Sequence, residues 1–337
     1  MMHDVLQKTI LGQRLSELEA YTAMRNIMAG EATPSQIAKF LVALRRKGEA
    51  VEEITGFARA MREAAIKVHT KSYPLVDICG TGGDGLHTFN ISTAAAFIAA
   101  GAGAKVAKHG NRAASSQCGS ADVLEELGIN IDLSSEHVAR CIDEIGIGFL
   151  FARSFHPAMR HVASVRSELG VRTVFNILGP LMNPAGATRQ VVGVFDQYLI
   201  KPIACVLNNL GVERALVVHG AGGLDEISTL GDTRIAEVRG GTIRYYTITP
   251  EEVGCHRATI SDLRGHTRAQ NASIVRECLN VVSGPRTEIA MLNAAAAIVV
   301  AGLAESMVDG FALARQSCSM GAAQNKLEAL VTFSHRT

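Results

Sequence analysis

The chain has 337 residues, 47% hydrophobic and 19% charged, which is the composition of a well-folded globular protein rather than a disordered one. Its 33 Lys and Arg residues are balanced by 32 Asp and Glu residues, and the net charge of +1 disfavours a nucleic-acid binder or a polybasic membrane-surface protein. The seven cysteines include no CxxC pair, so neither a disulfide framework nor a zinc site is expected. The sequence has no signal-peptide pattern and no long apolar run, and we therefore expect a cytoplasmic protein without a membrane partner.

The first 70 residues have a helical pattern only. Thr33 and Pro34 have the residue types of an N-cap and a first helical position, and apolar residues then recur at helical spacing up to Leu44. Residues 51–66 repeat this pattern. The sequence therefore predicts a small helical unit that ends near residue 72.

Strand and helix patterns alternate after this unit. Strands are predicted at 75–79, 105–107, 149–152, 191–195, 215–219 and 242–247. Helices are predicted at 90–102, 135–145, 199–210, 288–306 and 310–330. Such alternation indicates an α/β layered domain.

A glycine-rich turn, GTGGD at 80–84, follows the first predicted strand. Glycines there let the backbone approach an anion closely, and their N–H groups can cradle phosphate. Gly80, Gly82 and Gly85 formally match G-x-G-x-x-G, but a dinucleotide site needs an acidic residue after the next strand, where this chain has KHGNR at 108–112. No Gly-Lys-Ser/Thr closes the motif, so the turn is not a P-loop. We interpret it as a phosphate site, with a purely structural turn as the alternative.

Two more polar segments follow along the chain. NIST at 90–93 opens a helix of small residues, where hydroxyl and N–H groups either cap the helix or bind a phosphate or hydrated metal. The segment 108–120 combines cationic groups with serines, and Lys108 and Arg112 are suited to neutralise phosphate. A solvated polar loop is the alternative for the second segment.

Asp225 and Glu226 follow the strand predicted at 215–219, after a glycine-rich turn. Adjacent carboxylates at the carboxyl end of a strand suit Mg²⁺, which prefers oxygen ligands and usually shares substrate phosphates. Taken alone, such a pair is more often just a polar loop. The segment 165–184 carries arginines, and an arginine that faces a pocket is the natural partner of a carboxylate.

Taken together, these segments resemble the anthranilate phosphoribosyltransferase family of tryptophan biosynthesis, in order and spacing and over nearly the whole chain. Two departures, Ser164 where proline commonly precedes Val-Arg and Gln117-Cys118 where a basic or small residue is common, remove no ligand. The matching pieces are GTGGD (80–84), NIST (90–93), KHGNRAASS (108–116), GSAD (119–122), HPAM (156–159), VRSELGVRTVFNILGPLMNP (165–184) and GLDE (223–226).

The resemblance implies an α/β fold, with a small all-helical domain and a larger α/β domain whose central, mostly parallel sheet is flanked by helices. The helical domain would comprise residues 1–72, completed by about 167–190, and the α/β domain residues 73–166 and 191–337. It also implies a homodimer associating through the helical domain. The reaction would transfer the phosphoribosyl group of phosphoribosyl pyrophosphate (PRPP) to the amine of anthranilate, with no nucleic acid involved.

The resemblance also implies ligands for each substrate and for the metal. Anthranilate would contact Gly80, Asn111 and Arg166, with Arg166 on its carboxylate, and two Mg²⁺ ions would be held by Ser92, Asp225 and Glu226. PRPP would contact Gly80, Gly83, Asp84, Thr88, Asn90, Ile91, Ser92, Thr93, Lys108, His109, Gly110, Asn111, Arg112, Ala113, Ala114, Ser115, Ser116 and Ser120.

No residue is assigned as a general acid or base, because the aromatic amine of anthranilate is already neutral near pH 7 and positioning supplies much of the acceleration. Magnesium and Lys108 would neutralise the pyrophosphate leaving group. His109 is the side chain to test for catalysis, and a structural histidine is the alternative. Two other functions stay open: a pyrimidine nucleoside phosphorylase, which would phosphorolyse thymidine or uridine, and a non-catalytic relative that binds single-stranded DNA in a salt-dependent way.

Overall fold

The computed structural model describes residues 2–113, 117–280 and 282–336. Its N-terminal part is helical, as predicted. Thr33 caps the third helix, since its hydroxyl accepts a hydrogen bond from the Gln36 N–H at 3.3 Å and Pro34 occupies the first helical position. The helices of this part are α1 (Met2–Ile10), α2 (Glu17–Met28), α3 (Pro34–Lys47) and α4 (Val51–Ala64).

Seven strands form one sheet, in the order β3-β2-β1-β4-β5-β6-β7. Neighbouring strands from β3 to β5 are parallel, whereas β6 and β7 extend the sheet in antiparallel fashion. This confirms the α/β class and the mostly parallel sheet. β6 was not predicted, because charged residues interrupt its apolar ones, and β4 ends two residues earlier than predicted. The strands are β1 (Leu75–Gly80), β2 (Lys105–Gly110), β3 (Ile147–Phe151), β4 (Arg189–Gly193), β5 (Arg214–Gly220), β6 (Thr233–Arg239) and β7 (Thr242–Ile248).

The remaining helices cover the two faces of the sheet. The helix predicted over 310–330 is two helices, because Gly321 adopts a left-handed conformation with φ of 72° between them. The helix predicted over 135–145 ends in a π-helical turn from Cys141 to Ile145. The helices are α5 (Ile91–Gly101), α6 (Ser120–Glu126), α7 (Ser135–Arg140), α8 (Ala152–Phe155), α9 (Arg160–Leu169), α10 (Phe175–Leu178), α11 (Ile200–Asn209), α12 (Pro250–Val253), α13 (Ile260–Leu263), α14 (Arg268–Leu279), α15 (Pro285–Ala301), α16 (Met307–Ser319) and α17 (Ala322–Ser334).

Three apolar cores hold these layers together, the smallest of which packs Leu75, Ala107 and Leu150 of the sheet against α7. The first joins one face of the sheet to α5, α14, α15 and α17, and it includes Phe97 and Ile298. The second joins the other face to α11 and to the N-terminal helices, and it includes Phe40 and Val192. α9 packs against α2 and α3, so it belongs with the N-terminal helices in space. Among the described residues, no helix has the length and hydrophobicity that a bilayer crossing requires.

Candidate active site

The candidate site lies at one edge of the sheet, where the carboxyl ends of the parallel strands lie side by side. Each of four strands ends in a glycine at which a Cβ atom would collide with a neighbouring loop. These glycines therefore let the following loops lie directly on the edge, as a ligand crevice in an open α/β sheet requires. They are Gly80 of β1, Gly110 of β2, Gly193 of β4 and Gly220 of β5.

Asp225 and Glu226 lie on top of three of these glycines. A Cβ atom would be 2.3 Å from the Asp225 carboxylate at Gly80, 1.6 Å from the Asp225 carbonyl oxygen at Gly193, and 2.5 Å from the Glu226 carbonyl oxygen at Gly220. The predicted position after β5 is therefore confirmed, and the two carboxylates sit over the middle of the sheet edge.

The carboxylates of this pair are crowded. Burial and the neighbouring charge of Asp84 raise the pKa of Asp225, while burial and the charge of Asp225 raise the pKa of Glu226. The Gly82 N–H donates a hydrogen bond to the Asp225 carboxylate at 2.7 Å, which joins the glycine-rich turn to the pair. Within the described ranges, no three His, Cys, Asp or Glu side chains converge as a ready-made metal cage, so a cation here would need further oxygen ligands.

The start of α5 faces the same edge. Ser92, in the first turn, accepts a hydrogen bond from the Lys108 ammonium at 3.2 Å, and its backbone N–H interacts with the Glu226 carboxylate. The Asn90 amide donates to the Cys118 carbonyl oxygen at 3.1 Å, while its own oxygen has no partner among the described residues. Ile91 is buried, and so is Thr93, whose hydroxyl also lacks a partner in the described part.

Lys108 is almost fully buried at the end of β2. Its ammonium donates to the Ile78 carbonyl oxygen at 2.6 Å as well as to Ser92, and burial lowers its pKa. The carboxylate of Asp77, which is fully buried in β1, favours the charged form of this lysine. The structure thus places Lys108 beside the metal candidates Ser92 and Glu226.

Asp77 and Asn183 are two buried residues beside Lys108 and His109 that were not predicted as part of the site. Asp77 accepts hydrogen bonds from the His109 backbone N–H at 3.0 Å and from the Asn183 amide at 2.8 Å. Asn183 also donates to the Ala107 carbonyl oxygen at 2.8 Å. An aspartate in the middle of an apolar strand was the available signal, because buried carboxylates need partners.

His109 forms a buried pair with His156. The two rings meet edge to face at a centroid distance of 5.1 Å, and neither Nε2 atom has a hydrogen-bond partner among the described residues. Burial and the neighbouring His156 lower the pKa of His109 to about 3, and burial followed by the charge of Lys67 lowers the pKa of His156 to about 4. Both imidazoles are therefore neutral near pH 7.

In the loop after β2, the Arg112 side chain is turned toward α6. The Arg112 guanidinium pairs with Glu125 at 2.8 Å and with Asp122 at 3.1 Å. The Ala113 N–H also donates to Asp122, and the Ser120 hydroxyl donates to the backbone carbonyl of Asn111 at 3.2 Å. The predicted ligands Ala114, Ser115 and Ser116 lie outside the described residues.

The glycine-rich turn continues toward α5 through Gly83, Asp84 and Thr88. The Gly83 carbonyl oxygen accepts a hydrogen bond from Arg172, and Thr88 forms an isolated bridge with Arg264. Asp84 bonds locally, since it accepts from the Leu86 N–H at 3.1 Å. The turn is thus held at several points along its length.

Arg166 lies on α9, on the side of the N-terminal helices. Its guanidinium carbon is 5.4 Å from the centroid of the Phe175 ring, and it forms no ion pair among the described residues. Burial lowers its pKa. A desolvated guanidinium without an acidic partner suits an incoming carboxylate.

Comparisons with known proteins agree with this architecture. The helical bundle domain of a glycosyl transferase family matches residues 3–65, and the a/b domain of a glycosyl transferase family matches residues 72–324. Anthranilate phosphoribosyltransferase of Moorella thermoacetica is 55% identical over 333 residues, which cover 99% of this chain and 98% of that protein.

Two solved structures are similar over the whole chain. The crystal structure of anthranilate phosphoribosyltransferase from Thermus thermophilus superposes with a TM-score of 0.94 at 50% identity, covering 99% of this chain and 100% of that one. The enzyme of the same name from Saccharomyces cerevisiae, in complex with PRPP and Mg, gives a TM-score of 0.91 at 27% identity and covers 99% and 97% of the two chains.

Proposed function

We propose roles for individual residues of this chain, which belongs to the anthranilate phosphoribosyltransferase family. It transfers the phosphoribosyl group from PRPP to the amine of anthranilate, giving N-(5-phosphoribosyl)anthranilate and pyrophosphate in tryptophan biosynthesis. The observation that carries the site assignment is the meeting of the glycine-rich turn, the start of α5, Lys108 and the pair Asp225-Glu226 at one sheet edge.

PRPP occupies this edge in our proposal. The glycine-rich turn and the first turn of α5 offer backbone N–H groups to its phosphates, as helix starts do for anions. The unpartnered oxygens of Asn90 and Thr93 are suited to its hydroxyl groups, and Lys108 adds positive charge. Arg112 is paired with Glu125 and Asp122, which neutralise its charge, so its role as a phosphate ligand is a separate proposal.

The residues present fit Mg²⁺, which the yeast relative binds together with PRPP. Asp225 and Glu226 are crowded carboxylates whose pKa values are raised by burial and mutual repulsion, and a hard cation relieves that repulsion. Ser92 adds a hydroxyl oxygen beside Glu226. We propose that these three residues hold two ions, completed by substrate oxygens. When bound, magnesium supplies charge neutralisation for the departing pyrophosphate.

Anthranilate approaches from the side of the N-terminal helices in our proposal. Arg166 pairs with its carboxylate, and Gly80 and Asn111 line the path to the ribose. The free guanidinium of Arg166 supports this role. His109 stays neutral because burial lowers its pKa to about 3, and so weak a base is unsuited to remove a proton near pH 7. The chain then accelerates the reaction by orientation and electrostatics rather than by proton transfer.

We further propose that the chain is a cytoplasmic homodimer. Support for the dimer comes from a groove between α1 and α3, where the exposed fractions of Ile10, Leu11 and Val42 are 54%, 70% and 47%. The division into a helical domain (1–72, completed by about 167–190) and an α/β domain stays a proposal that the packing of the helices supports. Light scattering of Leu11→Asp should report a monomer, whereas Val308→Asp on exposed α16 should leave the dimer intact.

The loss of anthranilate fluorescence tests the function directly. Purified protein should remove the signal only when anthranilate, PRPP and magnesium are all present. Phosphorolysis of thymidine or uridine in place of this reaction would contradict the proposal and favour a nucleoside phosphorylase.

A further inference from the structure

Arg172 connects the segment between α9 and α10 to the glycine-rich turn and to the end of β4. It lies between α9 and α10, two residues after Gly170, which ends α9 in a left-handed conformation with φ of 59°. Its guanidinium donates a hydrogen bond to the Gly83 carbonyl oxygen. The guanidinium carbon also lies 4.2 Å from the centroid of the Phe195 ring, just beyond the end of β4. None of the roles proposed above uses this arginine.

The hydrogen bond between Arg172 and Gly83 lies at the middle of the glycine-rich turn. The turn begins with Thr81, whose N–H donates to the Gly193 carbonyl oxygen at 2.9 Å and whose hydroxyl accepts from the Phe195 N–H at 3.1 Å. It ends near His87, whose carbonyl oxygen accepts from the Gly265 N–H at 2.8 Å. Both ends are thus fixed to the α/β part of the chain.

Gly83 is the point of the turn that needs an anchor. Its φ of 80° is a left-handed conformation, and a Cβ atom there would lie 3.4 Å from the Arg172 guanidinium. Asp84 follows directly and contributes to the charge crowding of Asp225. A shift at Gly83 therefore moves a carboxylate that adjoins the proposed metal ligands.

Arg172 is also tied to the acceptor side, because Arg166 lies in the last turn of α9 and Arg172 lies in the short segment that follows this helix. α9 packs on α2 and α3, whereas the glycine-rich turn belongs to the sheet edge. A single side chain therefore connects the segment that holds the proposed anthranilate ligand to the turn that holds the proposed PRPP ligands. The distance between the amine of anthranilate and the ribose of PRPP depends on how these two segments are held relative to one another.

We propose that Arg172 is a positioning residue that fixes the acceptor-binding segment relative to the PRPP-binding turn, through Gly83 and with Phe195 as its support. The inference rests on the proposed roles of Gly83, Asp84 and Arg166. It predicts a defect in the turnover of the ternary complex rather than in the binding of PRPP alone.

The test compares Arg172→Met, Arg172→Gln and a matched control. Methionine keeps an apolar stem over Phe195 but removes the donor and the charge, whereas glutamine keeps a donor for Gly83. Arg140→Met is the control, because Arg140 also bonds an acceptor, Glu144 at 3.2 Å, and lies 5.0 Å from the Phe333 ring. Steady-state kinetics give kcat and KM, and calorimetry gives the Kd of PRPP with magnesium in the absence of anthranilate.

We expect Arg172→Met to lower kcat roughly tenfold, the scale of one charge-assisted hydrogen bond with an exposed cation–π contact, while the Kd of PRPP changes less than about threefold. Arg172→Gln should recover part of the loss, and Arg140→Met should match the wild type. Phe195→Leu should lower kcat too, and adding it to Arg172→Met should cause little further loss, since both disturb one link.

Three outcomes would overturn the inference. A Kd of PRPP that rises as much as kcat/KM falls would make Arg172 a direct substrate ligand. Additive effects of Arg172→Met and Phe195→Leu would remove Phe195 as its support, and unchanged kinetics with a lower unfolding midpoint would leave only a structural role. Failure of the proposed function is distinguishable, because the wild-type chain itself would then show no PRPP-dependent loss of anthranilate.

Discussion

Gly193→Ala tests whether the glycines at the sheet edge position Asp225 and Glu226, the carboxylates proposed to bind magnesium. A Cβ atom at Gly193 would lie 1.6 Å from the Asp225 carbonyl oxygen, whereas ordinary contact begins at 3.4 Å. The difference means that Asp225 must move by about 1.8 Å, or the strand must move away by a similar amount. Displacements of about 1 Å near reacting groups cost on the order of 100-fold in rate, and overpacking costs about 1–3 kcal/mol of stability.

We therefore expect Gly193→Ala to fold with a lower unfolding midpoint, to lose at least about tenfold in kcat, and to need more magnesium for half-maximal rate. Initial rates of anthranilate loss over a magnesium series, together with urea unfolding, measure all three quantities. The control is Gly179→Ala, because Gly179 has a helical φ of −46° and a Cβ atom there would meet nothing within 4 Å. A folded Gly193→Ala variant with the kcat and the magnesium requirement of the wild type would refute the reasoning.

Three further predictions concern the site. Replacing Asp225 with Asn and Glu226 with Gln should lower turnover and weaken its dependence on magnesium, and an unchanged rate at limiting magnesium would contradict the metal assignment. Arg166→Gln should raise the KM for anthranilate by roughly tenfold or more, because a charge-assisted hydrogen bond is lost, while the KM for PRPP stays within about twofold. The histidine pair makes stability depend on pH: burial lowers the pKa of His109 to about 3 and of His156 to about 4, so the unfolded chain binds more protons below the ordinary histidine pKa. The contribution of the neutral histidine pair to the free energy of unfolding is therefore present above about pH 6.5 and is lost as the pH falls toward 4. The double variant His109→Gln/His156→Gln should therefore show a smaller fall of the urea midpoint between pH 7 and pH 5.5.

Sequence patterns predicted the fold well where local signals were strong. The capping residues Thr33 and Pro34 and the alternation of strands and helices are read from neighbouring residues, and both were confirmed. β6 was missed because its apolar and charged residues are interleaved, and its membership in the sheet depends on pairing with β5 and β7. The pairing with β7 did have a local signal, because only Gly240 and Gly241 join the two strands and a Gly-Gly pair between two strand patterns is typical of a hairpin.

Some residues of the candidate site could likewise be predicted from local sequence patterns, whereas others could not. Asp225 and Glu226 were predicted as metal ligands because adjacent carboxylates after a strand suit a hard cation, and that role stays a prediction. The structure adds that Gly80, Gly193 and Gly220 make room beneath them. The link from Arg172 to Gly83 joins residues far apart in the sequence, and no motif connects them. Such contacts are set by tertiary packing, so sequence motifs suggest candidate ligands more readily than the residues that position them.

The buried polar residues of the site also stabilise the sheet. β1 pairs with β2 only at Leu75 and Val76, although it pairs with β4 as far as Gly80, so β1 and β2 diverge toward the edge that holds the site. Strands that separate leave backbone groups without partners, and unpaired buried groups are costly. Side chains supply the missing partners here. Asp77 accepts from the His109 N–H, Asn183 donates to the Ala107 carbonyl oxygen, and Lys108 donates to the Ile78 carbonyl oxygen across the gap. The divergence therefore brings a buried carboxylate and a buried ammonium close together, and the ammonium lies beside Ser92 and Glu226, in the site proposed for PRPP and magnesium.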